Sequence, residues 1–185
     1  VFTRAERTNL DALSCVDFID NEYTNDELKR AVFLDRDGTI HFDKVMTHRV
    51  EDLEYFKDTF SALKELQNMG FVLVIVTNQE GIRKGIYSSQ TMSEFNRKII
   101  NDLAEYGIKV AAVYYSPYSK EDGDISFKPE PGMLMRAKYE LNIDMENSYL
   151  IGDQISDIKA ANRMRVTPVM VTTGIYPNGD YCSED

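Results

Sequence analysis

Two aspartates, Asp35 and Asp37, follow directly on a short apolar run in Ala31-Val32-Phe33-Leu34-Asp35-Arg36-Asp37-Gly38-Thr39. Carboxylates two residues apart can share a hard cation through oxygen ligands while one oxygen stays free to act as a nucleophile. Taken alone, the pair also fits a solvated Asp-Gly turn. Three further segments repeat the arrangement. Residues 71–76 are apolar and lead into Thr77-Asn78-Gln79-Glu80-Gly81, where a hydroxyl, loop amides and a glycine suit an oxyanion such as phosphate. In Phe127-Lys128-Pro129-Glu130-Pro131-Gly132-Met133 a lysine stands just ahead of a helix opened by Pro131, and its ammonium can neutralise charge on a transferring phosphoryl group. Tyr149-Leu150-Ile151 ends in Gly152-Asp153-Gln154-Ile155-Ser156-Asp157, a second pair of carboxylates able to complete a magnesium site. Each segment alone is weak. Together and in this order they point to phosphoryl chemistry.

Strands and helices must alternate to bring such segment ends together. Residues 31–34 read as a buried strand, apolar on both faces as in a parallel sheet. Residues 58–69 follow as an amphipathic helix with Phe60, Leu63 and Leu66 on one face and Gly70 as its stop. After the strand at 71–76, Ser88 or Ser89 caps a long helix through about Tyr106, striped by Met92, Phe95, Ile99, Ile100 and Leu103. Gly107 ends it, and residues 110–115 form the next strand. Residues 131–141 are predicted helical, 149–151 a strand, 156–164 a helix and 167–171 a fifth strand. This alternation implies a parallel sheet with helices on both faces, and in open sheets of that kind ligands bind at the carboxyl edge. Residues 1–30 stand outside the pattern as an N-terminal extension, either a packed arm or the end of an upstream domain, ahead of a domain over 31–185. There Leu10, Leu13, Val16, Phe18 and Ile19 would pack against the core or a partner, and Thr24 would cap a short helix into Leu28.

On these residues the chain resembles the haloacid dehalogenase (HAD) superfamily of phosphohydrolases, over about residues 30–174. Asp-Arg-Asp-Gly-Thr-Ile (35–40), Thr-Asn-Gln-Glu-Gly-Ile (77–82) with Gly85, and Lys-Pro-Glu-Pro-Gly-Met (128–133) point to the branch of the heptose bisphosphate and histidinol-phosphate phosphatases. The resemblance implies a three-layer α/β/α, Rossmann-like fold with a central parallel sheet and no large cap domain. It also implies a magnesium-dependent phosphatase in which Asp35 attacks phosphorus to form an aspartyl-phosphate that water later hydrolyses. Asp37 would protonate the leaving alcohol and then deprotonate the water. Asp35, Asp153 and the backbone carbonyl of Asp37 would bind the metal, with Asp157 orienting the site or a metal-bound water. Thr77 and Lys128 would hold the phosphoryl oxygens. Asn78, Gln79, Arg83 and Lys84 fall in a loop that resembles the substrate-contacting loop of the heptose enzymes, although Arg83 and Lys84 also fit a solvated surface pair.

The chain departs from that branch at one place. Its members carry a structural zinc loop, Cys-Pro-His-His followed by Cys-x-Cys-Arg, whereas this chain has Ser116-Pro117-Tyr118-Ser119 and Asp124-Ile125-Ser126-Phe127. With neither thiolate nor imidazole, no structural zinc is expected. Phe127 stands where the heptose enzymes place an arginine that helps hold the distal phosphate of the substrate. Tyr114, Tyr115 and Tyr118 read as packing around this loop rather than as a base-stacking platform. Arg36 should point away from its flanking aspartates if the strand alternation persists, as a structural salt bridge or a substrate contact. His41 reads as structural and His48 as surface.

Composition sets outer bounds. A chain of 185 residues with 43% hydrophobic content suffices for one packed domain. No apolar stretch approaches the roughly 18 residues of a membrane span. A formal charge of -10 without a basic patch argues against nucleic acid as a partner, so a phosphate ester must be attracted locally. Cys15 and Cys182, at opposite ends of the chain, read as free thiols of a cytoplasmic protein. The expected partner is a small phosphorylated metabolite. A heptose bisphosphate is the first choice of substrate, and histidinol phosphate or another small phosphomonoester the alternative. A different class, a non-catalytic assembly module docking through residues 1–30, is opposed by the full set of candidate catalytic groups.

Overall fold

A computed structural model gives the fold over residues 15–175; Leu10, Leu13 and Cys182 lie outside the described residues. A six-stranded sheet carries strands β1 (Val16–Ile19), β2 (Ala31–Leu34), β3 (Val72–Asn78), β4 (Val110–Ser116), β5 (Tyr149–Gly152) and β6 (Thr167–Met170) in the order β1-β4-β3-β2-β5-β6. The five strands read from the sequence run parallel, while β1 joins β4 antiparallel at the edge. The sheet is therefore not wholly parallel, and the sixth strand comes from the segment placed outside the domain pattern.

The described residues form five α-helices, α1 (Thr59–Asn68), α2 (Glu80–Arg83), α3 (Ser89–Glu105), α4 (Gly132–Leu141) and α5 (Ile155–Arg163), of which all but the short α2 pack on the sheet. The strands alternate their side chains between two cores. Phe33, Val74, Val76, Ala112 and Tyr114 meet Met133, Leu134, Ala137 and Leu141 of α4 and Ala160 and Ala161 of α5. Val32, Leu34, Leu73, Ile75 and Val113 point the other way, against Leu63 of α1 and Phe95, Ile99 and Leu103 of α3. Both faces of the central strands are thus dry, which explains why they read as continuous apolar runs rather than as alternating ones. Phe95, Ile99 and Leu103 are wholly buried, and burial of each such side chain contributes about 1.5–3 kcal/mol.

Ser88 caps α3 through a hydrogen bond from the Thr91 backbone N–H, as the sequence predicts. Thr24 does not open a helix. Asp20 caps a short 3-10 turn over Asn21–Tyr23, and Thr24 closes that turn instead. The aspartate one residue before the turn takes the capping role, which leaves Thr24 at the wrong end for it.

Candidate active site

The carboxyl ends of β2, β3 and β5 and the loop before α4 meet in one cleft of about 150 Å³, lined by Asp35, Asp37, Asp43, Thr77, Asn78, Lys128, Asp153, Gln154 and Ser156. A larger hollow of about 380 Å³ lies around Glu22, Lys29, Arg30, Gly70 and Val72, at the amino ends of β2 and β3. The titratable cluster sits at the carboxyl edge, where the topology of an open parallel sheet places ligands.

Asp35 leaves β2 with its backbone N–H donated to Ile151 on β5 at 2.9 Å, so the first and last motifs are stitched together at the strand ends. The chain then turns at Gly38, whose φ of +80° is left-handed. A Cβ on Gly38 would lie 2.7 Å from Asp153 Oδ2, and one on Gly174 would lie 1.8 Å from the same atom. The two glycines make the space that the Asp153 carboxylate occupies. Thr173 donates its hydroxyl to the Gly38 carbonyl at 2.6 Å and ties the end of the described chain to the first motif loop.

Lys128 is 2% exposed and donates to Asp35 Oδ1 at 2.7 Å, Asp157 Oδ1 at 2.7 Å and the Val76 carbonyl at 2.9 Å. Burial alone would lower its pKa, but the Asp157 and Asp35 carboxylates outweigh it and hold the ammonium charged above its ordinary value. Asp35, Asp153 and Asp157 offer oxygens that all lie within 4.8 Å of one another. Three carboxylates therefore face one ammonium. Burial and then the charge of Asp35 push Asp153 up to about 7. Burial likewise raises Asp157, although Lys128 pulls it back.

The oxygens divide by their partners. Both oxygens of Asp157 are taken, Oδ1 by Lys128 and Oδ2 by the Gln154 backbone N–H at 3.0 Å. Asp153 accepts from the Gln154 side chain through Oδ2 at 2.9 Å, while its Oδ1 is buried without a partner. An orphaned carboxylate oxygen in an over-negative, oxygen-rich cluster suits a hard dication such as magnesium. The residues present fit that ion, with Asp35 and Asp153 as side-chain ligands and Asp157 as their support.

Asp37 lies half in the cleft, its side chain 18% exposed. The structure overturns the expectation for Arg36, which does not point away from its neighbours. The turn at Gly38 ends the strand alternation, and the guanidinium folds back so that Nε and Nη2 donate to the two oxygens of Asp37 at 2.9 and 3.1 Å. Arg36 is 1% exposed, stacked on Phe95, and also donates to Asn96, the Thr47 carbonyl and Gln79. His41 is wholly buried and places Nε2 3.5 Å from Asp37 Oδ1. His48 is not a free surface residue, because it stacks on Tyr87 at 4.7 Å between ring centroids.

The four loop residues read as substrate contacts separate. Asn78 lines the cleft, but its side chain is engaged with the Lys128 backbone, donating to the carbonyl at 3.0 Å and accepting from the N–H at 2.9 Å. Gln79 turns inward and is 2% exposed. It donates to Asp37 and Thr77 and accepts from Arg36 and Tyr87, which uses its amide completely. Arg83 and Lys84 lie outside the cleft lining, paired with Asp122 at 3.1 Å and Glu80 at 2.7 Å. Gln79 faces inward because α2 begins at the next residue and rotates it under the loop.

Three lining residues escape the sequence reading: Asp43, Gln154 and Ser156. Gln154 and Ser156 sit inside a quoted motif, so their neighbours gave a signal. Asp43 gave none, being one acidic residue in a polar loop; burial and then Asp37 push it up to about 6. At the stretch compared with a zinc loop, the Ser126 hydroxyl donates to Asp124 at 2.5 Å and accepts from the Ser116 hydroxyl at 2.9 Å, and Asp122 accepts from Ser119. Hydroxyl and carboxylate groups hold this loop by hydrogen bonds. Tyr114 is buried and donates to Glu140 at 2.8 Å, Tyr118 is exposed, and Cys15 is a buried free thiol.

Comparison with known proteins gives the same direction. The family model for HAD-hydrolase-like proteins matches residues 127–184. A D-glycero-beta-D-manno-heptose-1,7-bisphosphate 7-phosphatase of Photorhabdus laumondii is 38% identical over 152 residues, 78% of this chain and 81% of the relative. The enzyme of the same name from Haemophilus ducreyi is 40% identical over 154 residues, 79% of this chain and 85% of its own length. Among solved structures, the D,D-heptose 1,7-bisphosphate phosphatase of B. bronchiseptica, complexed with magnesium and phosphate, superposes with a TM-score of 0.74 at 27% identity, covering 78% of this chain and 82% of that one. The HAD-type sheet order, the buried carboxylate–lysine cluster at its carboxyl edge and relatives that align over four-fifths of their length agree: the chain belongs to the haloacid dehalogenase-like phosphatases, in the family of the heptose bisphosphate 7-phosphatases.

Proposed function

We propose that this chain is a magnesium-dependent phosphatase that removes one phosphoryl group from a small phosphorylated sugar, with D-glycero-β-D-manno-heptose 1,7-bisphosphate as the substrate its relatives suggest. The observation that carries the reading is the buried cluster in which Lys128 joins Asp35 to Asp157 beside the unpartnered oxygen of Asp153. Asp35 is the nucleophile: its Oδ1 is held by Lys128, which fixes the side chain in the cleft. Lys128 and Thr77 bind the phosphoryl oxygens. Asp37 protonates the departing alkoxide and then takes a proton from the attacking water. Its partial exposure suits a group that must reach the leaving oxygen. Asp35 and Asp153 with the Asp37 carbonyl hold the magnesium ion, which when bound polarises the phosphoryl oxygens as a Lewis acid. Asp157 holds Lys128 in place. No structural zinc is part of this reading.

A second reading, a phosphomonoesterase for histidinol phosphate or another monophosphate, has a specific observation in its favour. Lys128 is the only cation among the residues that line the cleft, and it is committed to the reacting centre. A distal phosphate would need Arg83 or Lys84 to leave exposed ion pairs, which costs no more than about 1 kcal/mol each. Phosphate release from heptose bisphosphate, a heptose monophosphate and histidinol phosphate, with magnesium, tests the two. The bisphosphate should give the highest kcat/KM. Arg83→Ala and Lys84→Ala should raise KM for the bisphosphate several-fold and leave that for the monophosphate unchanged. Equal turnover of mono- and bisphosphates, indifferent to both substitutions, makes a monophosphate the substrate.

A further inference from the structure

We propose that Asp17, on the edge strand β1, is a positioning residue for Asp37, acting through Asn96 and Arg36; the inference rests on the acid–base role of Asp37 given above. Asp17 Oδ2 accepts from Asn96 Nδ2 at 2.9 Å, and Asn96 Oδ1 accepts from Arg36 Nη1 at 2.9 Å. Arg36 in turn donates through Nε and Nη2 to both oxygens of Asp37 at 2.9 and 3.1 Å. The polarity of this chain admits one arrangement. A guanidinium only donates, so the amide oxygen of Asn96 must face Arg36, and the amide nitrogen must then face an acceptor. Asp17 is that acceptor; the other group near Asn96 Nδ2 is the thioether of Met92, a weak one.

Two features show that the link is built into the fold. Asn96 and Arg36 are each 1% exposed, so their side chains depend on protein partners, while Asp17 is half-buried at the outer end of the link. The pairing of β1 with β4 also shifts register between Val16 and Phe18, which puts the irregularity at Asp17. Such irregularities re-aim a side chain out of the regular pleat. The remaining contacts of the guanidinium are Gln79, the Thr47 carbonyl and the Phe95 ring. Asn96 is the contact that carries the link on to β1. The strand outside the sequence motifs thereby sets the angle at which Asp37 meets a leaving group.

In the transfer to Asp35 a misplaced general acid matters only when the leaving group needs a proton, so kcat/KM across leaving groups separates positioning from loss of fold. The full chain with magnesium is assayed on aryl phosphates of graded leaving-group basicity and on a sugar phosphate. Asp17→Ala should lower kcat/KM about tenfold for the sugar phosphate and the most basic phenols. The kcat/KM for p-nitrophenyl phosphate, which covers the transfer to Asp35 and not the later attack of water, should stay within about twofold, which also reports a folded enzyme. Asn96→Ala should steepen the dependence in the same way. Asp17→Asn keeps an acceptor oxygen and should recover most of the loss. A uniform loss across all leaving groups, or none, in both Asp17→Ala and Asn96→Ala overturns the inference when Asp37→Asn itself steepens the series. An Asp37→Asn variant with an unchanged slope overturns the acid–base reading instead.

Discussion

Replacing Lys128 by methionine removes the one ammonium from a cluster of three carboxylates while keeping nearly the same volume, so the cost is electrostatic rather than a cavity. Lys128 is 2% exposed, and its partners Asp35 and Asp157 have side chains 10% and 0% exposed, so solvent screens the group weakly. Breaking a buried pair by removing one partner costs roughly 3–5 kcal/mol. In a domain of this size that is a fall in Tm of roughly 6–20 °C. The loss should be largest near pH 8 and smaller at pH 5.5. Asp157 already sits above the usual carboxylate range because of burial, and without Lys128 it rises further and takes up a proton as the pH falls. The folded variant then binds protons that the unfolded chain at that pH does not, which restores stability. Thermal melts of both proteins at pH 5.5 and 8, without divalent metal, measure this directly. Activity should fall on the order of 10²–10³-fold through lost phosphoryl stabilisation. A Tm loss under about 2 °C at pH 8, or one equal at both pH values, would refute the account of the cluster as a lysine-neutralised set of carboxylates.

Asp35→Asn should abolish turnover while leaving the melt at or above the wild-type value, since an amide is a poor nucleophile and one buried negative charge is gone; phosphate release from pure variant protein contradicts the mechanism. Magnesium should raise Tm more at pH 8 than at pH 5.5. Asp153 lies at about 7 in the folded chain, above its unfolded value, so the stability its proton contributes is present at low pH and lost as pH rises through about 7, where a cation takes the place of the proton. An equal or larger magnesium shift at pH 5.5 counts against Asp153 as a ligand. Elemental analysis of untagged protein should find no stoichiometric zinc, because Ser116, Asp124 and Ser126 form their own hydrogen-bonded set; one zinc per chain would overturn this.

Much of the cleft was legible because Asp35, Thr77 and Asp153 stand at strand ends and Lys128 stands just ahead of a helix marked by Pro131, and a buried parallel strand announces itself by composition. Asp35, Thr77, Lys128 and Asp153 converge for that reason. What stayed hidden depended on chain reversals. The reading of Arg36 extends the strand alternation two residues beyond β2, into the turn that Gly38 completes. Gln79 looked like a loop amide until α2 rotated it beneath Asp37. The edge strand β1 was unreadable because four residues cannot declare their partner: β4 lies some ninety residues further on, and the direction of pairing has no local signal. Asp43 sits in a loop with positive φ at Val45 and Met46, residue types from which such a turn is not inferred.

The tie from Thr173 to Gly38 spans 135 residues, and the bond from Lys128 to Asp35 spans 93. Contacts so distant in sequence form late, after the loops between them have closed. A chain still being synthesised therefore lacks Asp153 until β5 has emerged, and lacks the tie across the first motif loop until the segment after β6 has followed. The same order exposes the nascent β2 and β3, both strongly apolar, before their flanking strands arrive, so the period before completion is when this protein is most prone to aggregate.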